Sequence, residues 1–62
     1  MGEKIKELRL KKLMSQGDLA KAAGVSRVTI SSIERGRRNS FSTSTLNKIG
    51  KALGVTVDYF FD

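Results

Sequence analysis

Gly24 separates two short segments that both carry a helical pattern of apolar residues, and this limits how the chain can fold. Before it, Leu19 and Ala23 recur at a spacing of four, and after it Ile30 and Ile33 recur at a spacing of three, so each pair lies on one helix face. Glycine ends a helix readily, because it enters the left-handed region without the steric penalty of a Cβ atom. The pattern predicts two helices joined by a sharp turn, the arrangement of a helix-turn-helix.

Capping signals divide the rest of the chain into further helices. Ser15, followed three residues later by Asp18, resembles a capping box, and Ser26 is the expected N-cap of the helix after the turn. The predicted helices span residues 3–13, 16–23 and 27–35, then a fourth that Ser42 or Thr43 caps and Gly54 ends, then a short last helix over 57–62. No segment alternates with a period of two. We therefore predict an all-α fold of five helices in one compact domain, residues 1–62.

The composition limits what can stabilise so short a chain and what it can bind. Its 62 residues include no cysteine and no histidine, which excludes disulfides and the usual zinc sites, and no metal or cofactor is expected. The net charge of +6 favours a polyanionic partner such as nucleic acid, although a merely basic surface is the alternative. We expect a cytoplasmic protein without a membrane partner, because no apolar run approaches the roughly 20 residues that span a bilayer.

The whole order of features resembles the Cro/C1-type helix-turn-helix family, also called the XRE family. The resemblance rests on Gln16, Leu19-Ala20, Gly24-Val25, Ile30 and Ile33, within the flanking segments MSQGDLAKAAGVSRVTISSIERGRRN and TLNKIGKALGVTVDYFF. It implies a lambda-repressor-like domain in which the second and third helices form the helix-turn-helix and the third lies in the major groove of double-stranded DNA. It further implies a transcriptional regulator, most often a repressor, that acts as a homodimer on a pseudo-palindromic operator.

The outward face of the third helix holds the residues expected to contact bases. Arg27 can bind guanine through O6 and N7, Val28 can contact a thymine methyl group, and the hydroxyls of Thr29 and Ser32 can donate or accept. The alternatives are a solvated surface arginine for Arg27 and a minor core position for Val28.

A second set of polar residues is expected to contact phosphates, which positions the protein without reading the sequence. In the family the glutamine at the position of Gln16 binds a phosphate, helped by the free N–H groups at a helix N-terminus. The full set of candidates is Ser15, Gln16, Arg35, Arg37, Arg38, Asn39 and Ser40.

The resemblance to the family also implies structural roles for two other groups of residues. Arg9 and Glu34 match a pair that forms a salt bridge between the first and third helices of relatives. The C-terminal segment is rich in apolar residues, of which Phe60 is expected to close the core. The exposed remainder, Val57, Tyr59 and Phe61, is the expected dimer interface, because relatives commonly pair through this end and exposed aromatic residues often mark interfaces.

Three positions depart from the family pattern. Gly17 replaces a better helix former at the second position of the second helix, which is expected to be a mild loss near a cap. Leu13 stands where relatives often have glycine, and a leucine in the left-handed region costs roughly 1 kcal/mol or more, so a different turn is expected after the first helix. Gly50 replaces the usual alanine inside the fourth helix, at an expected cost of up to about 1 kcal/mol.

A protein-interaction module, antitoxin-like or regulator-binding, is the alternative function. The aromatic C-terminus could serve such a partner, and weak or absent salt-dependent affinity for DNA would favour this interpretation. An enzyme is not expected, because the chain has neither histidine nor cysteine nor a carboxylate pair in an evident cleft. No small-molecule effector is evident either.

Overall fold

The computed structural model describes residues 2–36 and 42–61, which form four α-helices followed by a 3-10 helix. These are α1 (Gly2–Lys11), α2 (Gln16–Ala23), α3 (Arg27–Glu34), α4 (Thr43–Leu53) and the 3-10 helix Val57–Phe61. No strand occurs among the described residues, so the all-α prediction is confirmed, and the predicted fifth helix is the 3-10 segment. Helix α2 packs on α3 and α4, while α1 packs on α3 and on the 3-10 helix. Within the described ranges no helix is long and apolar enough to cross a membrane.

Three serines begin three of the helices by the same hydrogen bond. The hydroxyls of Ser15, Ser26 and Ser42 each accept a backbone N–H from the residue three positions later, at 3.0, 3.1 and 3.2 Å. Asp18 completes the predicted capping box by accepting the Ser15 backbone N–H at 2.9 Å, and this bond lowers the pKa of the Asp18 carboxyl. Of the two candidates for the start of α4, Ser42 is the cap.

The turn that defines the helix-turn-helix is closed by Gly24. Its φ of 72° lies in the left-handed region, and the next N–H, that of Val25, reaches back to the Ala20 carbonyl at 3.0 Å. This pair of features is a Schellman motif, in which the left-handed residue lets the chain satisfy the last carbonyls of the helix. Helix α3 ends at Glu34, with Arg35 as its C-cap, one residue earlier than predicted.

The first helix ends differently from the prediction. It stops at Lys11 and not at Leu13, because Leu13 leaves the helical region and takes a φ of 57°. The Leu13 N–H bonds the Leu10 carbonyl and the Met14 N–H bonds the Arg9 carbonyl, both at 3.0 Å. The end of α1 is therefore the same Schellman motif as at Gly24, with leucine in the left-handed position. The expectation of a different turn is wrong.

Replacing Leu13 by glycine should raise the free energy of unfolding by about 0.5–1 kcal/mol. The left-handed conformation costs leucine roughly 1–2 kcal/mol, which glycine does not incur. The greater conformational freedom of glycine in the unfolded chain offsets part of this stabilisation. Little packing is lost, because Leu13 is 91% exposed. Urea unfolding measures the change. The control is Leu13→Ala, which keeps the Cβ atom and should leave stability near wild type; equal stabilisation by both variants would contradict the argument.

One apolar core joins all the helices. Its buried side chains come from every α-helix and from the 3-10 helix: Ile5, Leu19, Ala20, Ala23, Ile30, Ile33, Leu46, Ile49, Leu53 and Phe60. The prediction that Phe60 closes the core is confirmed. Burial of this surface fixes how each helix is rotated, and hence which side chains are left outside.

Gly50 is part of this packing. A Cβ atom at that position would lie 2.7 Å from the Val55 carbonyl oxygen and 3.8 Å from the Phe60 ring. Gly50 therefore has a packing role, which the sequence did not indicate, beside its expected cost in helix propensity. The absent side chain is what lets the segment after α4 pass directly over the helix.

Candidate nucleic-acid interface

Helix α3 turns a polar face outward because its apolar residues hold the opposite face on the core. Ile30 and Ile33 are buried, whereas Val28 is 73% exposed and Arg27 is exposed. At about 100° per residue, Val28 lies roughly 200° around the helix from Ile30, on the far side from the core. Val28 is therefore a surface residue and not the minor core position that was its alternative. An exposed arginine beside an exposed valine is a surface that can contact base edges.

The hydroxyl of Thr29 lies next to that of Ser26 at the start of α3. Their oxygens are 2.8 Å apart, and Ser26 also accepts the Thr29 backbone N–H. The two hydroxyls share one hydrogen bond, so one O–H of the pair is left to donate elsewhere. Thr29 and Ser32 are both half-buried. Sequence reasoning did not include Ser26 in the site, although its place three residues before Thr29 was a usable signal.

The described phosphate candidates lie at one end of α2 and one end of α3. Ser15 and Gln16 stand at the N-terminus of α2, where the helix dipole favours an anion, although the capping box already pairs the backbone N–H groups of Ser15 and Asp18. Arg35 is exposed and directly follows α3. The remaining candidates, Arg37, Arg38, Asn39 and Ser40, lie outside the described residues.

Arg9 and Glu34 form a two-pronged ion pair inside the domain. Arg9 Nε is 2.8 Å from Glu34 Oε2 and Arg9 Nη2 is 3.0 Å from Oε1, and the two side chains are only 9% and 5% exposed. Arg9 Nη1 also donates to the Met14 carbonyl at 2.8 Å. One guanidinium thereby joins α1, the turn before α2 and the last residue of α3.

Gln16 adds a third donor to the same carboxylate. Its Nε2 donates to Glu34 Oε1 at 3.3 Å. Burial acts to raise the pKa of Glu34, but the hydrogen bonds from Arg9 and Gln16 and the positive charge of Arg9 outweigh it, and the pKa lies below its ordinary value. The hydrogen bond that Arg9 donates to Glu34 in turn raises the pKa of Arg9. Sequence reasoning missed the link between Gln16 and Glu34, since nothing in a separation of 18 residues signals it.

The C-terminal 3-10 helix leaves two aromatic rings at the surface. Phe61 is 65% exposed, Tyr59 is exposed and Val57 is half-buried. Lys4 Nζ lies 5.1 Å from the centroid of the Tyr59 ring and donates to the Tyr59 carbonyl at 3.1 Å. A cation over an aromatic face is attracted by the ring quadrupole, so α1 helps to fix this segment. No feature of the sequence indicated this contact of Lys4.

Two comparisons by sequence agree with this geometry. A family model described as Helix-turn-helix matches residues 5–60. An uncharacterized transcriptional regulator in the ATPase CF(0) region of Rhodospirillum rubrum is 43% identical over 61 residues, which cover 98% of this chain and 56% of the relative. The control protein C.BamHI of Bacillus amyloliquefaciens is 49% identical over 55 residues, which cover 87% of this chain and 67% of the relative. The chain thus spans little more than half the length of the first of these relatives.

Solved structures of SinR share the arrangement of the helices. The N-terminal DNA-binding domain of SinR from Bacillus subtilis matches with a TM-score of 0.91 at 38% identity, over 98% of this chain and 88% of that chain. SinR in complex with DNA matches with a TM-score of 0.90 at 38% identity, over 98% and 97% of the two chains.

Proposed function

The chain belongs to the Cro/C1-type helix-turn-helix family, and on that basis we propose that it binds double-stranded DNA through α3 and regulates transcription as a repressor. The observation that carries the proposal is the outward face of α3, where Arg27 and Val28 stay exposed while Ile30 and Ile33 hold the helix on the core. The net charge of +6 suits a polyanion, and SinR, of the same fold, has been solved with DNA bound. Repression needs no catalytic group, because a bound domain can occlude a promoter.

The proposed contacts divide into those that read bases and those that bind phosphates. Arg27 reads a guanine, a contact worth about 1–3 kcal/mol of discrimination, and Val28 reads a thymine methyl group. Thr29 and Ser32 add short hydroxyl contacts in the groove. Ser15 and Gln16 bind a phosphate at the N-terminus of α2, and Arg35 binds another after α3. The other proposed phosphate contacts are Arg37, Arg38, Asn39 and Ser40.

Selection of bound duplexes from a random DNA pool, read by sequencing at stated salt, tests this function. We expect a two-fold symmetric motif for the wild-type chain. In Arg27→Ala the preference should weaken by about 5- to 150-fold at one base pair of each half-site and stay unchanged elsewhere, because only one base contact is removed.

Arg35→Ala is the matched control, because it removes a second exposed arginine at the other end of α3. It should weaken binding to all sequences alike and lower the salt dependence by about one phosphate contact, with the motif unchanged. No enrichment at any salt concentration would contradict DNA binding and would favour the protein-interaction function.

We infer that the chain binds DNA as a homodimer that pairs through the 3-10 helix. An exposed phenylalanine beside an exposed tyrosine supports this, as does the two-fold symmetry expected of operators, whose half-sites lie about 34–36 Å apart. Light scattering of the complex with the selected duplex should give two chains per duplex. Phe61→Ser should give one, while Leu10→Ser, at another exposed apolar position, should leave two. A single chain per duplex for the wild type would contradict the dimer.

A further inference from the structure

The side-chain amide of Gln16 donates a hydrogen bond to the Glu34 carboxylate. Gln16 Nε2 donates to Glu34 Oε1 at 3.3 Å, and the same oxygen accepts from Arg9 Nη2 at 3.0 Å. Gln16 is the first residue of α2 and Glu34 is the last residue of α3. The bond therefore ties the proposed phosphate-binding end of α2 to the end of α3.

The amide geometry determines what Gln16 can still do. Nε2 carries two hydrogens in a planar group, and the carbonyl oxygen of the amide is only an acceptor. With one N–H directed to Glu34, the second N–H is fixed in direction, at about 120° from the first in the same plane. Gln16 is half-buried, so part of the side chain reaches solvent. A phosphate oxygen, which only accepts, can be bound by this second N–H and not by the amide oxygen.

Glu34 is suited to hold the amide because it is itself immobile. Its side chain is 5% exposed, and Arg9 Nε binds its second oxygen at 2.8 Å. The guanidinium also offsets the carboxylate charge, which would otherwise repel a phosphate nearby. The same guanidinium bonds the Met14 carbonyl, which directly precedes the N-cap Ser15.

We propose that Glu34 is a positioning residue for DNA binding, which orients the Gln16 amide so that its second N–H is presented to a backbone phosphate at the N-terminus of α2. The proposal rests on the proposed function, and it gives the ion pair a role beyond stability. Without the carboxylate, Gln16 samples many rotamers and both amide orientations, and the phosphate hydrogen bond must first order it.

A set of six proteins separates positioning from stability. There are three backgrounds: the wild type, the double variant Arg9→Met with Glu34→Gln, and the double variant Arg9→Met with Glu34→Met. Each is measured with and without Gln16→Ala. The two double variants both lack the ion pair, but only the one that carries Glu34→Gln keeps a side-chain oxygen that can accept from Gln16. Affinity is measured by fluorescence anisotropy with a labelled mixed-sequence duplex at one low salt concentration, because phosphate contacts do not depend on sequence.

We expect Gln16→Ala to weaken binding about 10-fold in the wild type and less than about 2-fold in the Glu34→Met background, with an intermediate loss in the Glu34→Gln background, because Arg9 no longer holds the acceptor there. An equal loss in all three backgrounds, or no loss in the wild type, overturns the positioning role and leaves DNA binding standing. Failure of the wild type to bind the duplex overturns the proposed function itself, and the positioning role with it.

A measurement on the free wild-type protein keeps the test decisive if a double variant fails to fold. Gln16 is the only glutamine of the chain, so its side-chain amide is identified in an NMR spectrum by residue type. One of its two Nε2 protons should exchange with water at least several-fold more slowly than the other, while those of the exposed Asn47 amide exchange alike. Equal exchange of the two Gln16 protons overturns the proposal.

Discussion

Arg9→Ala should lower the free energy of unfolding by about 3–5 kcal/mol and leave most of the chain unfolded at room temperature. The variant leaves the Glu34 carboxylate buried without its partner, and breaking a buried ion pair on one side costs about this much. A single core in a domain of this length rarely supplies more than about 3–5 kcal/mol in total. Circular dichroism during urea and thermal unfolding measures the loss.

The control for this prediction removes both charges together. Arg9→Met with Glu34→Met leaves no buried charge, and replacing a buried ion pair by apolar residues of similar size is often nearly neutral. We expect a loss of about 1 kcal/mol, from the hydrogen bond to the Met14 carbonyl that Arg9 no longer makes. A melting temperature of Arg9→Ala equal to that of the wild type would contradict the argument. An equal loss in both variants would show that the hydrogen bonds of the arginine matter, and not the unpaired carboxylate.

Features of the fold that obey local rules could be predicted from the sequence. Ser15 and Ser26 cap helices because a serine hydroxyl reaches the N–H three residues away, and Gly24 ends α2 because it lacks a Cβ atom. The exposed face of α3 followed from the spacing of Ile30 and Ile33. Each of these inferences involves residues within about one turn of each other.

Features that depend on packing between distant segments could not be predicted. The Gln16 amide meets Glu34, 18 residues away, and Lys4 meets Tyr59, 55 residues away. The end of α1 was missed for a related reason. Leucine disfavours the left-handed region, but hydrogen bonds that close the helix hold Leu13 there. The intrinsic preference of one residue was outweighed by the bonds of its neighbours.

Gly50 is the position where local and tertiary effects oppose each other most directly. Alanine there gains up to about 1 kcal/mol of helix propensity. Its Cβ atom would also lie 2.7 Å from the Val55 carbonyl oxygen, which is backbone and can move only if the turn after α4 moves. We expect the clash to outweigh the gain, with a net loss of about 1–3 kcal/mol for Gly50→Ala and more than about 3 kcal/mol for the branched Gly50→Val.

Gly17→Ala is the matched control, because the same substitution in α2 meets only an ordinary van der Waals contact. Its Cβ atom would have only the Ser15 hydroxyl oxygen within contact range, at 3.7 Å, so a propensity gain should appear, of up to about 0.5 kcal/mol because Gly17 lies in the first turn after the N-cap and not in the helix interior. Urea unfolding of both variants should therefore give changes of opposite sign. Stabilisation by both would mean that the Val55 turn yields at little cost. Since that turn leads into the 3-10 helix that carries Tyr59 and Phe61, a displaced turn should also weaken the proposed dimer.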